Sequence, residues 1–140
     1  MPPLSLWERG RGRGFERRLE LDRITEKIIG CAQRVSNVLG CGFLEKVYEN
    51  ALALELCKAG LDTHQQRDAE VHYDGQVVGR YTADLFVENS VIVEIKAVSG
   101  LDEIHRAQCL NYLKATGSSV CLLINFGKPR LEIKRIVSDF

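Results

Sequence analysis

Three charged side chains sit inside stretches that are otherwise apolar and β-like. Asp84 lies in Tyr81-Thr82-Ala83-Asp84-Leu85-Phe86-Val87, and a short turn leads to Val91-Ile92-Val93-Glu94-Ile95-Lys96-Ala97. Side chains of a strand alternate between faces, so Glu94 and Lys96, two apart, project from the same one. Hairpin geometry sets Asp84 opposite or diagonal to Glu94. A two-residue turn at Asn89-Ser90 pairs residue 84 with 95, whereas a three-residue turn or a bulge pairs 84 with 94 and aligns all three side chains. Two carboxylates and a backbone carbonyl, that of Ile95, are hard oxygen ligands suited to a magnesium (or manganese) ion that keeps several waters. Such an ion activates water and neutralises a phosphate, and a neighbouring lysine orients the water and stabilises the charge that develops. The competing reading is a cross-strand ion pair on a solvated face. Placement at the centre of apolar strands favours the site.

Two helical segments add candidates. Glu45 precedes Tyr48, Leu52 and Leu56 at helical spacing, so it is expected to face inward as a further metal or water ligand. The alternative is a partly exposed acid paired with Lys46 or Arg34. Further along, His105, Gln108 and Tyr112 form one stripe at spacings of three and four. Gln108 is placed to orient water or a phosphate, or else makes ordinary amide hydrogen bonds where helix meets sheet. His105 is expected to cap or pack.

The elements that position these groups follow from periodicity. Ile24, Ile28, Cys31, Val35 and Val38 recur every three or four residues between Asp22 and Leu39, and Gly40-Cys41-Gly42 breaks that helix. A second helix is expected from about Phe43 to Ala59, stopped by Gly60. The pattern then turns to strands: Glu70 to Tyr73, an Asp74-Gly75 hairpin turn, Val77 to Val87, and Val91 to Val98, an antiparallel meander. Asp102 is a good N-cap for a third helix ending before Gly117. Val120 to Phe126 is a fully apolar strand, and Leu131 to Val137 alternates. The order ααβββαββ predicts an α/β (α+β) chain with a mixed sheet and helices on its faces.

A chain of 140 residues is one domain's worth. Lys and Arg number 19 and Asp and Glu 19, which excludes a strongly cationic protein that holds nucleic acid by bulk charge. Residues 1–20, with glycines at 10, 12 and 14 and arginines at 9, 11, 13, 17 and 18, are expected as a disordered tail ahead of a domain at 21–140. The five cysteines are scattered without a Cys-x-x-Cys pair, as in a reducing cytoplasm. No apolar run approaches the roughly 20 residues of a membrane-spanning helix, and the start is unlike a secretory signal.

Gly42-Phe43-Leu44-Glu45-Lys46-Val47-Tyr48 resembles the signature of the GxxExxY family. The remaining landmarks come in order: Tyr81 to Leu85, Val93 to Ala97, His105-Arg106-Ala107-Gln108, Asn111-Tyr112-Leu113 and Leu123 to Gly127. That family resembles a compact branch of the PD-(D/E)XK nuclease superfamily. The resemblance implies a restriction-endonuclease-like core with a magnesium-dependent phosphodiesterase site acting on DNA or RNA. It also implies Asp84 and Glu94 as metal ligands, Lys96 as catalytic lysine, Glu45 as the acid from the helical region and Gln108 as the downstream helix partner. Two positions depart from the pattern. Cys41 stands where proline is expected, and Ala83 replaces the proline that names the superfamily; neither removes a ligand. The neutral charge and small size point to a homodimer or protein partner for substrate recognition. Two other readings stand beside the nuclease: a catalytically silent nuclease-fold module that binds nucleic acid or a protein, and a buried ion network alone.

Overall fold

The computed structural model describes residues 6–138, with side chains from residue 14 onward. Its elements are α1 (Leu6–Leu39), α2 (Glu45–Lys58), β1 (Thr63–Tyr73), β2 (Gln76–Val87), β3 (Val91–Lys96), α3 (Glu103–Thr116), β4 (Val120–Asn125) and β5 (Glu132–Val137), in the expected ααβββαββ order. One five-stranded sheet holds them in the order β1-β2-β3-β4-β5. The β3–β4 pairing is parallel and the others antiparallel. A parallel pair needs a crossover connection, and α3 supplies it. Among the described residues no helix is long and apolar enough to cross a membrane.

The helices divide between the two faces. Ile28, Leu52 and Leu56 of α1 and α2 pack with Leu85, Val93, Leu122 and Ile124. On the other face Cys109 and Leu113 of α3 pack with Ile92, Cys121, Leu123 and Ile136. All six residues of β4 are buried, as an apolar strand covered on both faces requires. The Asp102 carboxylate caps α3 by accepting from the Ile104 and His105 N–H groups, and His105 Nδ1 accepts from the Asp102 N–H at 3.2 Å. His105 is therefore a capping residue.

The signature around Gly42 builds a turn. Gly42 has φ 115°, a conformation open to glycine. Tyr48, fully buried, donates its hydroxyl to the Gly40 carbonyl at 2.6 Å and accepts from the Phe43 N–H at 3.2 Å. Its ring stacks on Phe126 with centroids 4.7 Å apart. Tyr48 thus latches the α1–α2 connection to the end of β4.

Two expectations about element starts are corrected. Helix α1 starts at Leu6, not near Asp22, so residues 6–20, expected as a disordered tail, continue the helix. Glu16, Arg17, Arg18, Leu19 and Glu20 are good helix formers, and once the packed part has nucleated, propagation costs little. Residues 14–20 are all exposed, Leu21 is the first buried side chain among those described, and Asp22 pairs with Arg135 of β5 at 2.7 Å. Residues 1–5 lie outside the described residues. Strand β1 starts at Thr63 rather than Glu70. Its first half, Thr63-His64-Gln65-Gln66-Arg67-Asp68, has no apolar alternation because backbone pairing to β2 at the sheet edge holds it. A register shift follows at Val71/His72.

Gly127 follows β4 so closely that a Cβ there would collide with the backbone of Ala97 and Val98, just beyond β3. Gly127→Ala is expected to cost about 1–3 kcal/mol or more in urea denaturation, because neither neighbour is a side chain that can swing away. Unchanged stability would show that the segment after Lys96 has room to move.

Candidate functional site

Strand β2 changes face at Asp84. Tyr81 and Ala83 pack against α3, while Leu85 and Val87 pack against α1 and α2. In a regular strand all four would share one face. Opposite Asp84, Gln66 of β1 has φ 54°, a left-handed conformation rare outside glycine. The paired register runs Gln65↔Leu85 and Arg67↔Ala83, skipping both. On the other side β2 and β3 pair only as far as Leu85↔Val93, the register of the three-residue turn. Past that point the Asp84 side chain stands in for the missing backbone acceptor: its Oδ2 accepts from the Ile95 N–H at 2.8 Å. The kink draws a carboxylate into the gap between the strands.

Glu94 is 5% exposed and accepts a hydrogen bond from the Tyr81 hydroxyl. Burial, and then the neighbouring Asp84 charge, push its carboxyl from 4.5 up to about 8. The Tyr81 hydroxyl, the Lys96 charge and the Asp84 N–H act in the opposite direction without prevailing. With no cation present Glu94 is therefore mostly protonated at neutral pH. Burial and the Glu94 charge raise the Tyr81 hydroxyl far above its ordinary range. The Tyr81 ring stacks on Tyr112 of α3, centroids 3.4 Å apart. Lys96 is half-buried at the end of β3, and its charge reaches Glu94.

Asp84 and Lys96 both act electrostatically on Glu94, and β2 and β3 take the register of the three-residue turn. Glu45 is different. It is exposed in the first turn of α2 and its side chain makes no hydrogen bond or ion pair with any described residue, so its expected inward orientation is corrected. The buried acid is Glu49, one turn on and 4% exposed. It accepts from Lys46 at 3.1 Å and from the Gln65 and Gln66 amides, each at 2.8 Å. Gln66 Nε2 also reaches Asp84 Oδ1 at 3.5 Å, joining the two acids. Gln108 is exposed one turn before Tyr112 and makes no hydrogen bond with any described residue.

Sequence reasoning missed Glu49, Gln66 and Tyr81. Glu49 was within reach, since 49, 52, 53 and 56 complete the inward stripe of α2. Gln66 carries no such signal, because its role depends on a positive φ in a polar strand. Tyr81 differs from an ordinary core tyrosine only in its partner.

The segment after Lys96 is fastened by Asn125, which is fully buried. Its Oδ1 accepts from the Val98 and Gly127 N–H groups at 3.0 and 2.9 Å, and its Nδ2 donates to the Val98 carbonyl and Glu132 Oε1 at 3.0 and 3.1 Å. Glu132 also accepts from the Leu101 N–H at 3.1 Å. The Asn125 amide holds the Glu132 carboxyl below its usual range.

Among the described residues no three His, Cys, Asp or Glu side chains gather as a ready metal cluster. The protein's side-chain donors at the kink are two carboxylates. That sparse oxygen set suits magnesium, which binds through one or two carboxylates and keeps its waters. A buried acid that keeps its proton through burial and the neighbouring Asp84 charge agrees with it.

The sequence profile of the PD-(D/E)XK nuclease superfamily matches residues 22–136. The crystal structure of SSO0001 superposes with a TM-score of 0.56 at 20% identity, over 69% of this chain and 51% of that one. The chain thus spans about half the length of SSO0001, and at this identity the likeness is one of fold. No curated protein matches in sequence.

A raised acid has a signature in stability. The unfolded chain releases the Glu94 proton near 4.5 and the folded one near 8. Its contribution is therefore fully present below 4.5 and is lost as pH rises through about 8. Glu94→Gln removes that loss. The variant is expected to match the wild type near pH 4 and to exceed it by on the order of 3 kcal/mol above pH 8 in urea denaturation. Parallel pH–stability curves would contradict the raised acid.

Proposed function

The chain belongs to the PD-(D/E)XK nuclease superfamily, and on that premise we propose that it hydrolyses phosphodiester bonds of nucleic acid, DNA or RNA, with a divalent cation, magnesium or manganese, at the β2–β3 kink. The observation that carries this reading is the nearness of Asp84 and Glu94 where the ladder ends, with Glu94 buried and raised by burial and by the Asp84 charge. Asp84, Glu94 and the Ile95 carbonyl would hold the ion, which would supply Lewis acidity toward the phosphate and make water more acidic.

The remaining steps belong to the protein. The Ile95 N–H and the Gln66 amide fix the two Asp84 oxygens. Tyr81 donates to Glu94 Oε1 and orients that carboxyl group. Lys96 sits beside the acids to orient the attacking water and to stabilise charge on the phosphoryl oxygens. Glu49 takes the place proposed from the sequence for Glu45, acting through Gln66. Gln108, one turn from Tyr112 on the exposed part of α3, is available to the substrate rather than to the ion. The GxxExxY assignment within the superfamily rests on Gly42, Glu45 and Tyr48 and the linked motifs after them. In it Gly42 and Tyr48 serve the turn into α2.

Calorimetric titration with magnesium is expected to give heat that Asp84→Asn abolishes. Binding at pH 7 should release close to one proton, and affinity should climb until pH passes about 8, because the ion competes with the Glu94 proton. On a panel of single-stranded, double-stranded and structured DNA and RNA, metal-dependent cleavage should fall about 100-fold or more in Lys96→Ala, with magnesium heat retained. Heat without cleavage on any substrate would leave a binding module; no heat would leave only the ion network.

A further inference from the structure

A groove leads away from the kink between β1 and α3. Its larger part, a cavity of about 810 Å³, is lined by Arg80, Tyr81, Tyr112 and Lys114. A second cavity of about 430 Å³ continues it past Arg67 and Phe86, the two sharing Glu70, His72 and Ala115. The Tyr81–Tyr112 stack at one end is the pair whose hydroxyl donates to Glu94. At the other end the Arg67 guanidinium lies over the Phe86 ring, 5.5 Å from its centroid. Arg80 is exposed and has no hydrogen-bond or ion-pair partner among the described residues. The acids along the groove are engaged: Asp68 accepts from the Thr82 hydroxyl at 2.7 Å, and Glu70 lies 3.6 Å from His72 Nε2.

We infer that this groove binds a single strand of nucleic acid and threads it toward the Asp84–Glu94 centre. The inference rests on the nuclease reading and names its substrate class. Aromatic rings alternating with cations are what an unpaired strand requires: bases stack on rings irrespective of sequence, and phosphates meet guanidinium or ammonium groups. A neutral chain makes no sequence-independent hold on duplex backbone by bulk charge, so affinity must come from this local arrangement.

The test separates groove from metal centre. Fluorescence anisotropy in EDTA, on the full chain, compares a labelled oligothymidine with a hairpin duplex of the same length. The single strand is expected to bind more tightly. Arg80→Glu should weaken it by about tenfold and reduce the log–log salt slope by about 0.7, the share of one phosphate that is no longer neutralised, with Arg80→Lys restoring most of both. Equal or tighter duplex binding, or an Arg80→Glu variant with unchanged affinity and slope, would overturn the groove. Magnesium calorimetry on the same wild-type protein reports on the centre alone: absent heat with intact oligothymidine binding removes the nuclease reading and keeps the strand site.

Discussion

Where β2 and β3 part, the Ile95 N–H would face a buried gap without a partner, and an orphaned buried amide costs about as much as a lost hydrogen bond. Asp84 meets that demand with a side-chain oxygen, which is possible only because the strand reverses its facing there. Much else follows from this one bond. It sets the carboxylate beside Glu94, ends the β2–β3 ladder at Leu85, and obliges β1 to kink at Gln66 so that the edge strand can follow. The apolar parity of β2 accordingly serves two cores, one on each face of the sheet.

Glu94 lives at the expense of the rest of the fold. A carboxylate at 5% exposure beside another acid is unfavourable in its charged form, and the protein offers it one hydroxyl, one backbone N–H and a lysine charge. The wholly buried β4 and the helices on both faces supply the apolar burial that lets such a group persist. An apolar side chain in place of this buried acid would be the more stable choice.

Element order and fold class were legible in the sequence because they rest on short-range signals, helical period and turn residues, and the nearness of Asp84 and Lys96 to Glu94 followed from charges two apart in an apolar strand beside a hairpin. The register was legible only as a choice between two turns, since Glu88 and Asn89, both with positive φ, do not announce a three-residue loop. Glu45 misled because positions 45 and 49, one turn apart, differ by only about 40° of rotation, so Tyr48 and Leu52 fit a stripe through 45 nearly as well as one through 49. Gln66 was illegible, its role arising from a backbone kink that three strands create together. The helical stretch before Leu21 was hidden by its glycines and arginines, which carry no apolar period.

The outermost strand has a further effect. β1 presents an unpaired backbone edge eleven residues long, the kind of template on which a second chain can add and propagate. The left-handed residue at Gln66 and the offset at Val71/His72 cut that edge into short runs, and Arg67, Asp68 and Glu70 crowd the middle run with charge. The same distortion that brings Asp84 to the Ile95 N–H thereby discourages fibre growth, so straightening β1 in the name of stability would invite aggregation.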